Sequence, residues 1–161
     1  RPMAKYELLN SYAQGNQMKL FYYSWMTVLL TSLINNVQAQ ASFNGQDFSG
    51  VYTCTGEDSH EGQYKGSVSM KLLPQHSTGE YAAYTFELSV PGYGKYPGHA
   101  AGYKNNLAIY FAHTQHSKNQ DFGTGIATFT QNPKGKWSFH KYYYEPMFKG
   151  GNHGFETCTQ N

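Results

Sequence analysis

From residue 50 onward the chain alternates apolar and polar positions with a period of two, and groups of turn-forming residues interrupt the alternation at short intervals. The pattern is clearest at Tyr81 to Val90. There Ala82, Tyr84, Phe86, Leu88 and Val90 fall on one face and Thr85, Glu87 and Ser89 on the other, as a half-buried strand requires. Lys65 to Leu73 repeats it, with Val68, Met70 and Leu72 facing in. The same reading predicts strands at Gly50 to Thr55, His99 to Tyr103, Leu107 to His113, Thr124 to Thr130, Lys136 to Tyr144 and Gly154 to Thr159. Between them lie Pro74 to Gly79, Pro91-Gly92-Tyr93-Gly94, Lys104-Asn105-Asn106, Asn132 to Gly135 and Lys149 to Asn152, all rich in turn residues. No segment carries a helical stripe. The expected fold class is therefore all-β, a single antiparallel barrel of about eight strands, with a sandwich as the alternative.

The first forty residues follow a different pattern. Lys19 precedes an apolar run from Leu20 to Ile34, followed by a polar stretch ending in Val37-Gln38-Ala39-Gln40-Ala41. These are the three regions of a secretory signal peptide, expected over residues 18–41 with cleavage after Ala39 or, preferably, Ala41. The run is shorter than the roughly 20 residues that span a bilayer, so no membrane association is expected after cleavage. Residues 1–17 carry no folded pattern. They read as sequence upstream of the true start or as an extended leader from Met3, and the folding domain is placed at 42–161. A periplasmic or secreted location follows.

Removing the leader changes the charge. Arg1 is lost with Lys5, Lys19 and Glu7, which leaves equal numbers of Lys and of Asp plus Glu, and no Arg. A domain this close to neutral lacks the cationic surplus that neutralises phosphates, so nucleic-acid binding is not expected. The two cysteines, Cys54 and Cys158, stand near the two ends of the domain. In an exported protein they are expected to form a disulfide, the alternative being two buried thiols. In a closed barrel the first and last strands are neighbours, and the bridge would clip that seam.

Candidate chemistry concentrates at Trp137 to Gly154. On a strand Trp137, Phe139, Lys141 and Tyr143 share one face, and His140, Tyr142 and Tyr144 share the other. Tyr84, Phe86, Phe111, Trp137, Phe139 and Tyr143 are the expected interior residues. They either line a cavity for a small, fairly apolar ligand, with Tyr hydroxyls as orienting groups, or form a solid aromatic core. The alternative function is a protein-binding module such as a periplasmic enzyme inhibitor. It would act through loops Pro91 to Pro97 and Glu145 to His153, exposing Tyr93, Tyr96, Phe148 and Asn152. Glu145 with His153 or His140 offers an acid–base pair, and His113, His116 and Asp121 offer metal ligands, but neither spacing defines a site. Gly123-Thr124-Gly125 lacks the remainder of a phosphate-loop or dinucleotide fingerprint. No catalytic residue, metal or cofactor is expected, and oligomeric state is left open.

Phe48-Ser49-Gly50-Val51-Tyr52 resembles the Gly-x-Trp opening of lipocalin and avidin-like barrels, with Tyr52 in the place of the Trp. Tyr52-Thr53-Cys54, with Cys158 near the end, resembles the small bacterial barrels that inhibit lysozyme, in which such cysteines are bridged. Both resemblances imply a small exported barrel. The Ser-rich loop followed by a basic residue that those inhibitors insert into their target is not found here.

Overall fold

Period-two alternation gives each strand one apolar and one polar face, and the apolar faces are buried together when the sheet closes on itself. The computed structural model describes residues 41–161, and there the eight segments form one closed antiparallel barrel. The strands are β1 (Gly50–Asp58), β2 (Gly62–Leu72), β3 (Tyr81–Val90), β4 (Gly94–Tyr103), β5 (Asn106–Ala112), β6 (Phe122–Gln131), β7 (Trp137–Glu145) and β8 (Asn152–Gln160). Each pairs with the next, and β1 pairs with β8 from Tyr52 opposite Gln160 to Asp58 opposite Gly154. The expected upstream segment 1–17 and leader 18–41 lie outside the described residues apart from Ala41. Among the described residues no helix is long and apolar enough to cross a membrane.

Cys54 lies directly opposite Cys158 on the β1–β8 seam, and the two form a disulfide with Cα atoms 4.1 Å apart. Closure of the barrel thus brings together residues 104 positions apart, as the sequence led one to expect. One difference is that β4 starts at Gly94, ahead of its expected start at His99. Its first residues pair with β3 alone, since pairing with β5 begins only at Gly98 opposite Phe111. Pro97 is tolerated on that one-sided stretch, where a strand does not need every N–H.

The interior divides by strand direction into two ends. The end bearing the β2–β3, β4–β5 and β6–β7 connections is plugged by the lead-in residue Phe48, which is 1 % exposed. Phe48 stacks on Phe129 at 4.1 Å and meets Trp137 edge-on at 4.9 Å. Its backbone is held in place: Phe48 N–H donates to Tyr84 Oη (3.1 Å), and Phe48 C=O accepts from Tyr52 Oη (2.8 Å). Tyr52, Val68, Met70, Tyr84, Leu107, Phe129 and Phe139 complete a solid core around it. Rings of this size fit inside so small a barrel because glycine stands on the inner face opposite them. On Gly102, for example, a Cβ would come within 3.3 Å of the Tyr84 ring, and on Gly56, towards the other end, within 2.2 Å of the Tyr64 ring.

Candidate functional site

At the other end, bearing the β1–β2, β3–β4, β5–β6 and β7–β8 connections, the interior is not filled. A cavity of about 260 Å³ enters there. Its walls are Leu88, Val90, Tyr96, Phe111 and Tyr143, its rim carries Glu61, Tyr93 and Phe148, and Asp58, Asp121, Glu145 and Asn152 project into it. Lys141 also contributes to the lining.

The acidic groups are positioned by the strand period. Asp58 ends β1 and Glu145 ends β7, each two or four residues from an inward-facing neighbour, so both side chains turn inward. Asp58 is bound tightly: its Oδ2 accepts from Tyr143 Oη (2.6 Å) and Asn152 Nδ2 (2.8 Å), and its Oδ1 accepts from the backbone N–H groups of His60 and Glu61. Burial pushes Asp58 up, but the hydrogen bonds from Tyr143, Asn152 and the two backbone amides outweigh it and hold the carboxyl below its ordinary value. Asn152 Nδ2 also donates to Glu145 Oε2, so one amide bridges the two carboxyl groups.

Glu145 behaves in the opposite way. Burial, with the charges of Asp121 and Asp58 beside it, outweighs the Asn152 hydrogen bond and raises Glu145 to about 7. Asp121 is likewise raised, by burial first, although Tyr96 Oη donates to it at 3.2 Å. Two carboxyls this close do not both ionise readily. The folded state binds more protons than the unfolded one between the ordinary value near 4.5 and about 7. The contribution is therefore fully present below pH 4.5 and is lost as pH rises through 7. Asp58 acts in the reverse sense, and its contribution is lost only at acid pH. Urea denaturation at pH 5 and pH 8 is expected to show the native protein losing on the order of 2–3 kcal/mol relative to Glu145→Gln across that interval. Parallel pH profiles for the two proteins would refute the assignment.

Beneath the acids lies a buried ion pair that the aromatic reading of this region overlooked. Lys141 and Glu156 are opposite one another on β7 and β8, Nζ to Oε2 is 2.7 Å, and both side chains are wholly buried. Tyr64 Oη donates to Glu156 Oε1 at 3.0 Å, while Nζ approaches Oε2 off the line of a directed hydrogen bond. The ammonium is otherwise surrounded by the rings of Phe86, Phe111 and Tyr143, whose centroids lie 5.3–5.4 Å away. Burial pushes the hydroxyls of Tyr64, Tyr96 and Tyr143 well up, each reinforced by nearby negative charge, so all three remain proton donors.

The residues expected to line the interior are distributed between the two ends. Tyr84, Phe139 and Trp137 pack at the plugged end, Phe86 lies under the Lys141 ammonium, and Phe111 and Tyr143 line the cavity. The four residues expected to be exposed on loops all reach the same cavity, but two are not exposed. Tyr96 turns inward from β4 to reach Asp121, and Asn152 is 1 % exposed between Asp58 and Glu145. Tyr93 stays exposed and Phe148 is half-buried. His153 and His140 are on the outer face, away from Glu145, because each is offset by one residue from an inward position. His113 lines the cavity near Asp121, but its Nε2 is directed at the Tyr93 carbonyl and His116 Nδ1 at the His113 carbonyl, and among the described residues the three do not form a metal-ligand cluster. Among the described residues the one group whose ligand atoms converge is Cys54, Glu156 and Cys158, and the disulfide consumes both thiolates.

The period that placed Phe139 and Tyr143 inside also places Lys141 between them, and Glu156 shares a face with Cys158. Sequence reasoning thus contained the signal for both charges. It lacked the pairing register that makes burying them together tolerable. No protein-family model, curated protein or solved structure matches this chain.

Proposed function

We propose that this protein is an exported, non-enzymatic barrel that binds a small ligand in the open half of its interior. The observation that carries this reading is the division of the interior. One end is filled by Phe48 and its neighbours, whereas the other retains a cavity of about 260 Å³ walled by Leu88, Val90, Phe111 and Tyr143. That volume is just below the ~300–1,000 Å³ of pockets for drug-sized molecules, and apolar walls with a few convergent polar groups are the usual make-up of such sites. A disulfide at the seam is consistent with an oxidising, extracellular or periplasmic setting.

The protein-partner reading draws on Tyr93 and Phe148 at the rim, but Tyr96 and Asn152 are taken up by the interior, which leaves it less surface. Native mass spectrometry of the disulfide-bonded protein from its own cellular compartment is expected to show an added small molecule that denaturation releases. A Leu88→Phe variant, which narrows the cavity with an apolar side chain, is expected to lose that mass while still folding. A bare native species from cells, or equal loading of the variant, would count against a ligand in this cavity.

A further inference from the structure

The charges around the cavity do not balance. Glu61 at the rim is paired with Lys149, and Lys141 is paired with Glu156. Asp58, Asp121 and Glu145 then remain; His113 lies near Asp121 on the same lining and Lys149 is near enough to act on Asp58, but among the described residues none of the three acids is in an ion pair of its own. Asp58 is held ionised by four hydrogen bonds, and Asp121 and Glu145 lie beside it in the same cavity. Solvated carboxylates are ordinary, but these are 4–9 % exposed and enclosed by aromatic rings. The faces of Tyr96, Phe111 and Tyr143 carry the negative side of the ring quadrupole, which favours a cation on them. A second feature lies on the same lining. Lys141 Nζ, wholly buried, has its ion-pair partner but no acceptor in directed hydrogen-bond geometry, and Tyr64 Oη lies beside it on Glu156. An ammonium confined in this way leaves donor capacity for an oxygen atom on a molecule that fills the cavity.

We infer that the ligand is a small organic cation: an amine whose ammonium group sits beside Asp121 and Glu145, with an apolar ring against Phe111 and Tyr143 and an acceptor oxygen at its inner end. This inference rests on the small-ligand reading and specifies the chemistry of that site. Asp121 and Glu145 accept the N–H bonds, and Asp58, whose oxygens are taken up by Tyr143, Asn152 and two backbone amides, adds negative charge beside them. The rings contribute contact area and cation–π attraction. An anionic ligand would face uncompensated acids at the mouth, and a neutral one would leave their charge desolvated.

The test is isothermal titration of the intact, disulfide-bonded protein with four probes of one shape. Tyramine carries the ammonium and the ring hydroxyl, phenethylamine lacks the hydroxyl, 2-(4-hydroxyphenyl)ethanol lacks the ammonium, and 3-(4-hydroxyphenyl)propanoate replaces it with a carboxylate. Tyramine is expected to bind most tightly, the neutral alcohol about 10–100-fold more weakly, as for a lost charged hydrogen bond, and the anion more weakly still. Phenethylamine is expected to fall between tyramine and the alcohol. Asp121→Asn and Glu145→Gln, which preserve shape, are each expected to reduce the preference for tyramine over the alcohol, and a melting curve shows whether each variant is folded. Equal binding of amine and alcohol would overturn the cation inference while leaving a small-ligand cavity in place. Binding of none of the four at millimolar concentration would overturn it too, and the native mass measurement would then decide the cavity reading independently.

Discussion

Glu156→Gln is expected to destabilise the folded domain by about 3–5 kcal/mol, far more than its small change in shape suggests. The substitution keeps an acceptor for Tyr64 Oη but removes the charge that lies 2.7 Å from the Lys141 ammonium. Lys141 is wholly buried among Phe86, Phe111 and Tyr143, and without Glu156 it becomes an uncompensated cation in an apolar surround. The control is Lys141→Met with Glu156→Gln. Removing both charges while keeping the Tyr64 hydrogen bond is expected to recover most of the loss, because a buried pair contributes little net stability beyond an apolar replacement. Urea denaturation of the native protein and the two variants measures all three values. A single variant within about 1 kcal/mol of the native protein would mean that Lys141 escapes to solvent or loses its proton at little cost.

Replacing both cysteines, Cys54→Ala with Cys158→Ala, is expected to lower stability by up to ~4–5 kcal/mol, the chain-entropy value for a closed loop of about a hundred residues. Both side chains are fully buried at directly opposed positions of β1 and β8. The effect comes mainly from the unfolded chain, which gains freedom when the loop is opened, so the folded variant is expected to keep its barrel and its cavity. Denaturation curves of the variant and of the oxidised protein measure the difference. A loss below about 1 kcal/mol would show that the unfolded chain is already compact enough to make the bridge redundant. The two experiments probe different ends of one mechanism. The bridge fixes the seam from β1 to β8, and Lys141 with Glu156 fixes β8 to β7 across the next interface.

All eight strands were legible in the chain because burial of one face imposes period two, and Gly, Pro and Asn groups interrupt it where the chain reverses. Their ends were less so. The expected loop from Pro91 to Pro97 is a turn followed by strand, because Lys95, Tyr96 and Pro97 are drawn into pairing with β3. Phe48 shows a second limit. It lies before the first strand, in a segment without alternation, and only the finished barrel end supplies the aromatic surroundings that bury it.

The aromatic residues mark the boundary most clearly. Alternation put Tyr84, Phe86, Phe111, Phe139 and Tyr143 inside the barrel but was silent on how far along its axis each would sit. Strand direction decides that: Phe139 near the start of β7 joins the plug, whereas Tyr143 four residues on reaches the cavity. The sequence by itself therefore determined an all-β chain, the inward and outward residues within the strands its period marks, and the bridge between its ends, since these depend on local period and on the chemistry of two cysteines. Tertiary structure alone decided which half of the interior is filled and how Asp58, Asp121 and Glu145 gather at the other. It also decided that Lys141 has Glu156 to neutralise it. Those outcomes depend on register and closure, which set distances between residues far apart in the chain, and charge burial is governed by those distances.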